Sequence, residues 1–286
     1  MTTEQIDYSI IHHSTMLSDN ERLALFKKAV QTVVQSSNIV VDIGSGTGIL
    51  AAYAAELASA VYAIEYYAFA ENLAKKILSK SPYQHIKFLK ANAFDVKLPE
   101  NPDVLITETI GQIGPEENIV EICYDFFRRH PSIKHIIPLQ LSLYAEFIDS
   151  HTGRTFIQNI IDGYLNASFA EFDYAWIQSD IEQQLSNHIF QLDLKDAVSL
   201  RPPILLAEYE LGKTVSSTFK KNISIPFDLK EKLLHLYFMA KLSDDIILSS
   251  RFNHQNHWKH SFAHIPKNKE SCIISYMADS GFIKIE

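Results

Sequence analysis

"VVDIGSGTG", residues 40–48, decides how this chain is read. The apolar run 39–43 ("IVVDI") has the make-up of a buried strand. Gly44, Gly46 and Gly48 behind it let the backbone turn sharply and approach a ligand closely. An Ala-rich helical stretch, "GILAAYAAELASA" (48–60), follows, and strand, glycine loop and helix in that order form the context of a nucleotide-binding loop. The spacing is GxGxG, whereas a dinucleotide fingerprint would need Gly or Ala at position 49, where Ile49 stands. Asp42, directly before the loop, would repel a pyrophosphate. It suits a ligand with an ammonium group, such as the amino-acid end of S-adenosylmethionine.

Outward from the loop, strand and helix signals alternate. "VYAIE" (61–65), "IKFLKA" (86–91) and "DVLIT" (103–107) read as strands, "AFAENLAKKIL" (68–78) and "NIVEICYDFFRR" (118–129) as helices. Such alternation predicts a parallel sheet with helices on both faces. Glu65 ends the second strand 21 residues after Gly44, where an acid accepts hydrogen bonds from ribose hydroxyls. Ala93 and Phe94 in "ANAFD" (91–95) are placed to edge an adenine, although Phe94 suits the core equally. Upstream, "SDNE" (18–21) reads as a capping box with Ser18 at the N-cap, opening a helix with Leu23, Phe26, Val30 and Val33 at helical spacing.

After Pro138 the texture changes. "LQLSLYAEFI" (139–148), "ILLAEYEL" (204–211), "LHLYFMAKL" (234–242) and "DIILSSRF" (245–252) alternate like strands and predict an antiparallel, barrel-like unit. Helical periodicity returns only in "TFIQNIIDGYL" and "IQSDIEQQLSNHIF", within an inserted excursion of about 155–195. The expected division is therefore 1–138 and 139–286.

Bulk composition narrows the function. A net charge of -8 argues against nucleic-acid binding and suits a cationic partner. Two cysteines, Cys123 and Cys272, give no disulfide framework or cysteine metal site, and the reducing cytoplasm is the expected compartment. No run of about 18 apolar residues is present, so no membrane span is expected.

"TETIGQIGPEENI" (107–119) sets Glu108 and Glu117 nine positions apart in a loop directly behind the fourth strand. "DIGSGTGIL" resembles the first motif of class I S-adenosylmethionine-dependent methyltransferases, and three further stretches narrow the resemblance to the protein arginine methyltransferase family. "HSTMLSDNER" (13–22) looks like that family's N-terminal motif through His13, Met16, Leu17, Asp19 and Arg22. "TETIGQIGPEE" is similar to its double-E loop, and "NHWK" (256–259) resembles its T-H-W loop through His257 and Trp258. The motifs run in order from about residue 8 to 264.

The resemblance implies an α/β fold: a Rossmann-like class I methyltransferase domain, then an antiparallel β-barrel-like domain with a helical arm at 155–195 that closes a homodimer. It implies S-adenosylmethionine held by Met16, Arg22, Asp42, Gly44, Gly46, Gly48, Glu65, Ala93 and Phe94, with Arg22 on the cofactor carboxylate. Glu108 and Glu117 would grip an arginine guanidinium, a planar, permanently charged fork of donors, and His257 would pair with Asp19 across the two domains. Glu116 is read as solvated. The histidines of "HQNHWKH" lack an acid or Cys at ligand spacing, so no metal is expected.

Departures from the family pattern bear on the acceptor. Tyr8 is the only aromatic near the N-terminal motif, and Thr109, Gln112, Ile113 and Pro115 replace the aromatics of the double-E loop. The acceptor is expected to be arginine in a protein or peptide. Free arginine or another small guanidine or amine is the alternative, and a non-catalytic methyltransferase-like subunit a further one. An NAD-dependent oxidoreductase is disfavoured by the loop spacing and Asp42.

Overall fold

Short apolar runs with both faces covered can hydrogen-bond side by side in a buried parallel sheet. The computed structural model describes residues 10–79, 83, 85–165, 178–254 and 256–286, and five such runs form its first sheet. They are β1 (Ile39–Ile43), β2 (Ala60–Glu65), β3 (Ile86–Lys90), β4 (Val104–Thr107) and β5 (His135–Ile137). The order is β3-β2-β1-β4-β5, every pair parallel. Ile43 pairs with Ile64 on one side and Thr107 on the other. The C-terminal ends of the central strands are therefore level, and Gly44, Glu65 and Glu108 emerge at one edge. That edge holds the crevice where strand order reverses, the usual ligand position in such sheets.

The helices follow the sequence with small shifts. The segments α1 (Ile10–Leu17) and α2 (Asn20–Val33) precede the sheet, and α2 buries Phe26, Ala29 and Val30. Its cap is Asp19, not Ser18: Asp19 Oδ1 accepts the Arg22 amide at 2.9 Å, while Ser18 Oγ donates to the Ser14 carbonyl. The Ala-rich stretch is helical only as α3 (Ile49–Ala55), shorter than 48–60, because Ala60 already pairs with Ile39 in the sheet. Helices α4 (Ala68–Leu78) and α5 (Ile119–Arg129) stand as expected to within one residue.

Beyond Pro138 the strands are antiparallel. They comprise β6 (Gln140–Asp149), β7 (Phe190–Leu192), β8 (Val198–Ser199), β9 (Ile204–Glu210), β10 (Phe219–Ser224), β11 (Leu233–Ser243), β12 (Ile246–Ser249), β13 (His260–His264), β14 (Ser271–Tyr276) and β15 (Lys284–Ile285). The long β6–β11 ladder, from Leu233↔Ile148 to Lys241↔Gln140, is the spine of a seven-stranded sheet, and β10-β14-β15 form a second. Apolar residues of both halves, from Val40 and Leu105 to Leu143, Phe238 and Ile274, share one continuous core, and α2 packs against β11 and β12.

The excursion contains α6 (His151–Leu165) and α7 (Gln178–Leu185). Ile157, Ile161 and Ile181 bury against Ile148, Leu194, Leu233 and Phe262 of the adjoining strands and loop. Residues 166–177 of the expected arm, like Tyr8, lie outside the described residues. Among the described residues no helix is long and apolar enough to cross a membrane.

Candidate active site

A cavity of about 770 Å³ opens at the C-terminal edge of the parallel sheet. The glycine loop forms one wall. Gly44, Gly46 and Gly48 have φ of 69°, 52° and 80°, and a Cβ on Gly44 would come within 2.6 Å of Thr109 Cγ2. The sequence therefore requires glycine here for both conformation and space. Amides of Gly44 and Ser45 bond the Ile64 carbonyl at 2.9 and 3.0 Å, tying the loop to β2.

Glu65 faces this loop. Its Oε2 accepts the Gly46 amide at 2.9 Å and its Oε1 the Tyr67 amide at 2.8 Å, which fixes the carboxylate while its remaining lone pairs stay available. Asp42 is fully buried, and neither carboxylate oxygen has a hydrogen-bond partner; the Ala51 amide approaches without completing a bond. Burial, with the charges of Glu65 and Glu108, pushes Asp42 up to about 8. A buried acid without a donor is costly in its charged form, which is why its value rises. Ala93 and Phe94 line the far end, where Phe94 is exposed and so is not a core residue.

Met16, Arg22, Glu108, Glu117 and His257 line the same cavity. Arg22 is almost wholly buried. Its Nη1 meets Glu108 Oε2 at 2.7 Å and its Nη2 donates to the Met16 carbonyl at 2.9 Å. Burial pushes Glu108 up to about 7 despite Arg22, and Asp19 adds to the rise. Glu117 opens its carboxylate to the cavity yet is crowded by protein. That crowding, then the charges of Glu108 and Glu116, pushes it up to about 8.

Glu116 is not a solvated acid. Its two oxygens accept the Ile113 and Gly114 amides at 2.9 and 2.7 Å and brace the double-E loop from inside. The second half of the chain closes the site through three hydrogen bonds to this loop. Trp258 Nε1 reaches the Ile110 carbonyl at 3.3 Å, Gln112 Nε2 the Lys259 carbonyl at 2.7 Å, and Tyr276 Oη the Pro115 carbonyl at 3.1 Å.

His257 meets Asp19 twice: its amide donates to Oδ2 at 2.8 Å and its Nδ1 lies 2.9 Å from the same oxygen. Burial opposes ionisation of Asp19, but the hydrogen bonds from His257 and the Arg22 amide outweigh it and hold its carboxyl below the usual value. The neighbouring histidines serve elsewhere. His254 Nδ1 faces Glu21 at 2.8 Å, and His260 Nδ1 accepts the Leu194 amide at 2.7 Å.

Sequence reasoning left Gln112, Asn118, Gln191 and Lys259 out of the cavity wall, which they join. Arg128 and Arg129 do not join that wall. Arg129 is spent on Asp125 and the carbonyls of Val96 and Ala93, and Arg128 lies over the Tyr124 ring.

Comparison with known proteins agrees with this geometry. Residues 41–109 match the family model of a methyltransferase domain. An uncharacterised protein of Methanocaldococcus jannaschii is 39% identical over 98 residues, covering 34% of this chain and 38% of that one. A probable histone-arginine methyltransferase of Arabidopsis thaliana is 37% identical over 118 residues, 39% of this chain and 22% of its own. The chain thus spans between 22% and 38% of the length of these curated relatives.

Among solved structures, protein arginine methyltransferase 10 of Arabidopsis thaliana matches with a TM-score of 0.73 at 19% identity, over 96% of this chain and 89% of that one. The enzyme–prozyme arginine methyltransferase complex of Trypanosoma brucei, solved with AdoHcy, also scores 0.73 at 16% identity, over 96% and 90%. The chain has the two-part fold of these structures, and its residues 41–109 match a methyltransferase domain. S-adenosylmethionine is the cofactor of that domain. The tight glycine loop and the fixed Glu65 on the cavity wall fit its amino-acid tail and its ribose, whereas Asp42, fully buried just before the loop, does not line the cavity.

Proposed function

We propose that this chain is an N-methyltransferase acting on an arginine guanidinium in a protein or peptide. The observation that carries the reading is the convergence of Glu108 and Glu117 on one cavity beside the cofactor wall. When bound, S-adenosylmethionine supplies an electrophilic methyl group on a sulfonium. Glu108 and Glu117 would hold two edges of the guanidinium and aim its third nitrogen. Holding positive charge on the other nitrogens leaves the aimed one more nucleophilic. His257, held by Asp19, would take the proton released from that nitrogen. Glu65, with Glu108 and Glu117 once they ionise, gives the wall a field that draws in a cation.

Glu65→Ala tests the cofactor half. It removes a charged acceptor and also the tie to the Gly46 and Tyr67 amides. A loss of about 1.5–3 kcal/mol corresponds to S-adenosylmethionine binding roughly 10–100-fold weaker. Unchanged affinity by calorimetry, or binding of NAD instead, would remove Glu65 from the cofactor site.

One observation favours the small-acceptor alternative: Lys259, exposed on the cavity wall, could hold the carboxylate of free arginine. Competition between an arginine peptide and free arginine for labelled methyl separates the two. Preference for the peptide supports the main reading, and exclusive labelling of free arginine replaces it.

The same proposal includes a homodimer closed by the excursion around α6 and α7 and a cytoplasmic location. Tyr164 on α6 is exposed, and buried, unpaired Cys123 and Cys272 suit a reducing compartment. Light scattering is expected to give twice the chain mass at micromolar concentration, and a monomer there would remove the dimer. Cell fractionation that finds the protein outside the cytoplasm would remove the location.

A further inference from the structure

We infer that Tyr276, the last residue of β14, is a positioning residue for Glu117. The inference rests on the reading of Glu117 as a guanidinium clamp. Among the described residues the Glu117 carboxylate makes no hydrogen bond or ion pair, so what positions it is the backbone from which the side chain springs. That backbone is a single 3-10 turn, Pro115–Glu117, closed by the Asn118 amide on the Pro115 carbonyl at 2.9 Å.

The turn is short and awkwardly placed. It enters through Gly114 and leaves through Asn118 at φ 61°, a left-handed conformation that asparagine tolerates better than most side chains. Glu116 braces the approach to the turn from its own loop. The Pro115 carbonyl at the turn's start receives a second donor from the far half of the chain: Tyr276 Oη at 3.1 Å. The Tyr276 ring is 1% exposed and its strand is fixed in register, Phe219 opposite Tyr276, so the hydroxyl cannot follow the turn if it drifts. The hydroxyl is thus a fixed post from the C-terminal sheet against which the clamp's turn is set.

Tyr276→Phe keeps the ring and removes this post together with the hydroxyl's contact with the Ser217 side chain. Expected results are a thermal midpoint and cofactor affinity close to the parent chain, kcat on an arginine acceptor lowered roughly tenfold with acceptor KM little changed, and faster hydrogen exchange at residues 116–118. Parent-like kcat with parent-like exchange overturns the inference. So does a joint collapse of thermal midpoint and cofactor binding, which would make Tyr276 a core residue only. If the parent chain methylates no guanidine at all, the functional reading fails instead, while the exchange measurement still decides whether Tyr276 holds the turn.

Discussion

Glu117→Gln is expected to lower kcat on an arginine acceptor roughly 10²–10³-fold while leaving S-adenosylmethionine affinity nearly unchanged. The amide keeps the size of the side chain and the 3-10 turn, but one oxygen acceptor becomes a donor facing a guanidinium that only donates. Glu108→Gln is expected to lose turnover on the same scale, with a different effect on the cofactor. It weakens the 2.7 Å buried ion pair with Arg22 to a hydrogen bond on a neutral amide, which would leave Arg22 freer to meet a cofactor carboxylate, so cofactor affinity is expected to hold or rise. Single-turnover rates beside calorimetric affinities check both. Near-native turnover in either variant removes that residue from the clamp.

The second large effect is on pH. Glu108 is pushed up to about 7 and Glu117 up to about 8, mainly by burial and crowding, and the two titrate as a coupled pair. A protonated carboxyl cannot grip a guanidinium, so kcat/KM is expected to be low near pH 6, to climb through about 7–8 and to level above it.

Stability runs the opposite way. Carboxyls whose folded values exceed their unfolded ones contribute stability that is full below the unfolded values and is lost as pH rises through the folded ones. The free protein should therefore melt lower at pH 8 than at pH 5, with bound cofactor recovering part of the loss. A rate profile flat from pH 6 upward would show that the acids ionise normally and that the cavity is wetter than its packing suggests.

The parallel half was legible because its signals are local. Strand β1, the glycine loop and Glu65 declare themselves by composition and spacing, and burial on both faces turns each strand into a plain apolar run. The barrel was legible only in part. In β13, His260, Ser261 and His264 hide a strand whose first four residues are all buried, and in β10, Lys220 and Lys221 interrupt the alternation. Missing β14 was avoidable, since Cys272, Ile274 and Tyr276 alternate inward at strand spacing. Assigning the cap to Ser18 failed because Asp19 serves α2 and His257 with opposite oxygens, a tertiary demand no local pattern carries. Glu116 was misread for a related reason. Its role as a brace depends on the loop folding back on itself, with Gly111 bonded to the Gly114 carbonyl at 2.8 Å.

The central claim, methyl transfer to a guanidinium nitrogen, is tested most directly by where the methyl lands. The protein is incubated with labelled S-adenosylmethionine and arginine peptides, and the product is fragmented in a mass spectrometer. The expected result is one or more methyl groups on side-chain guanidine nitrogens, absent with the Glu117→Gln variant. A methyl group found only on a hydroxyl, a carboxylate or another non-guanidine atom would contradict the double-glutamate clamp.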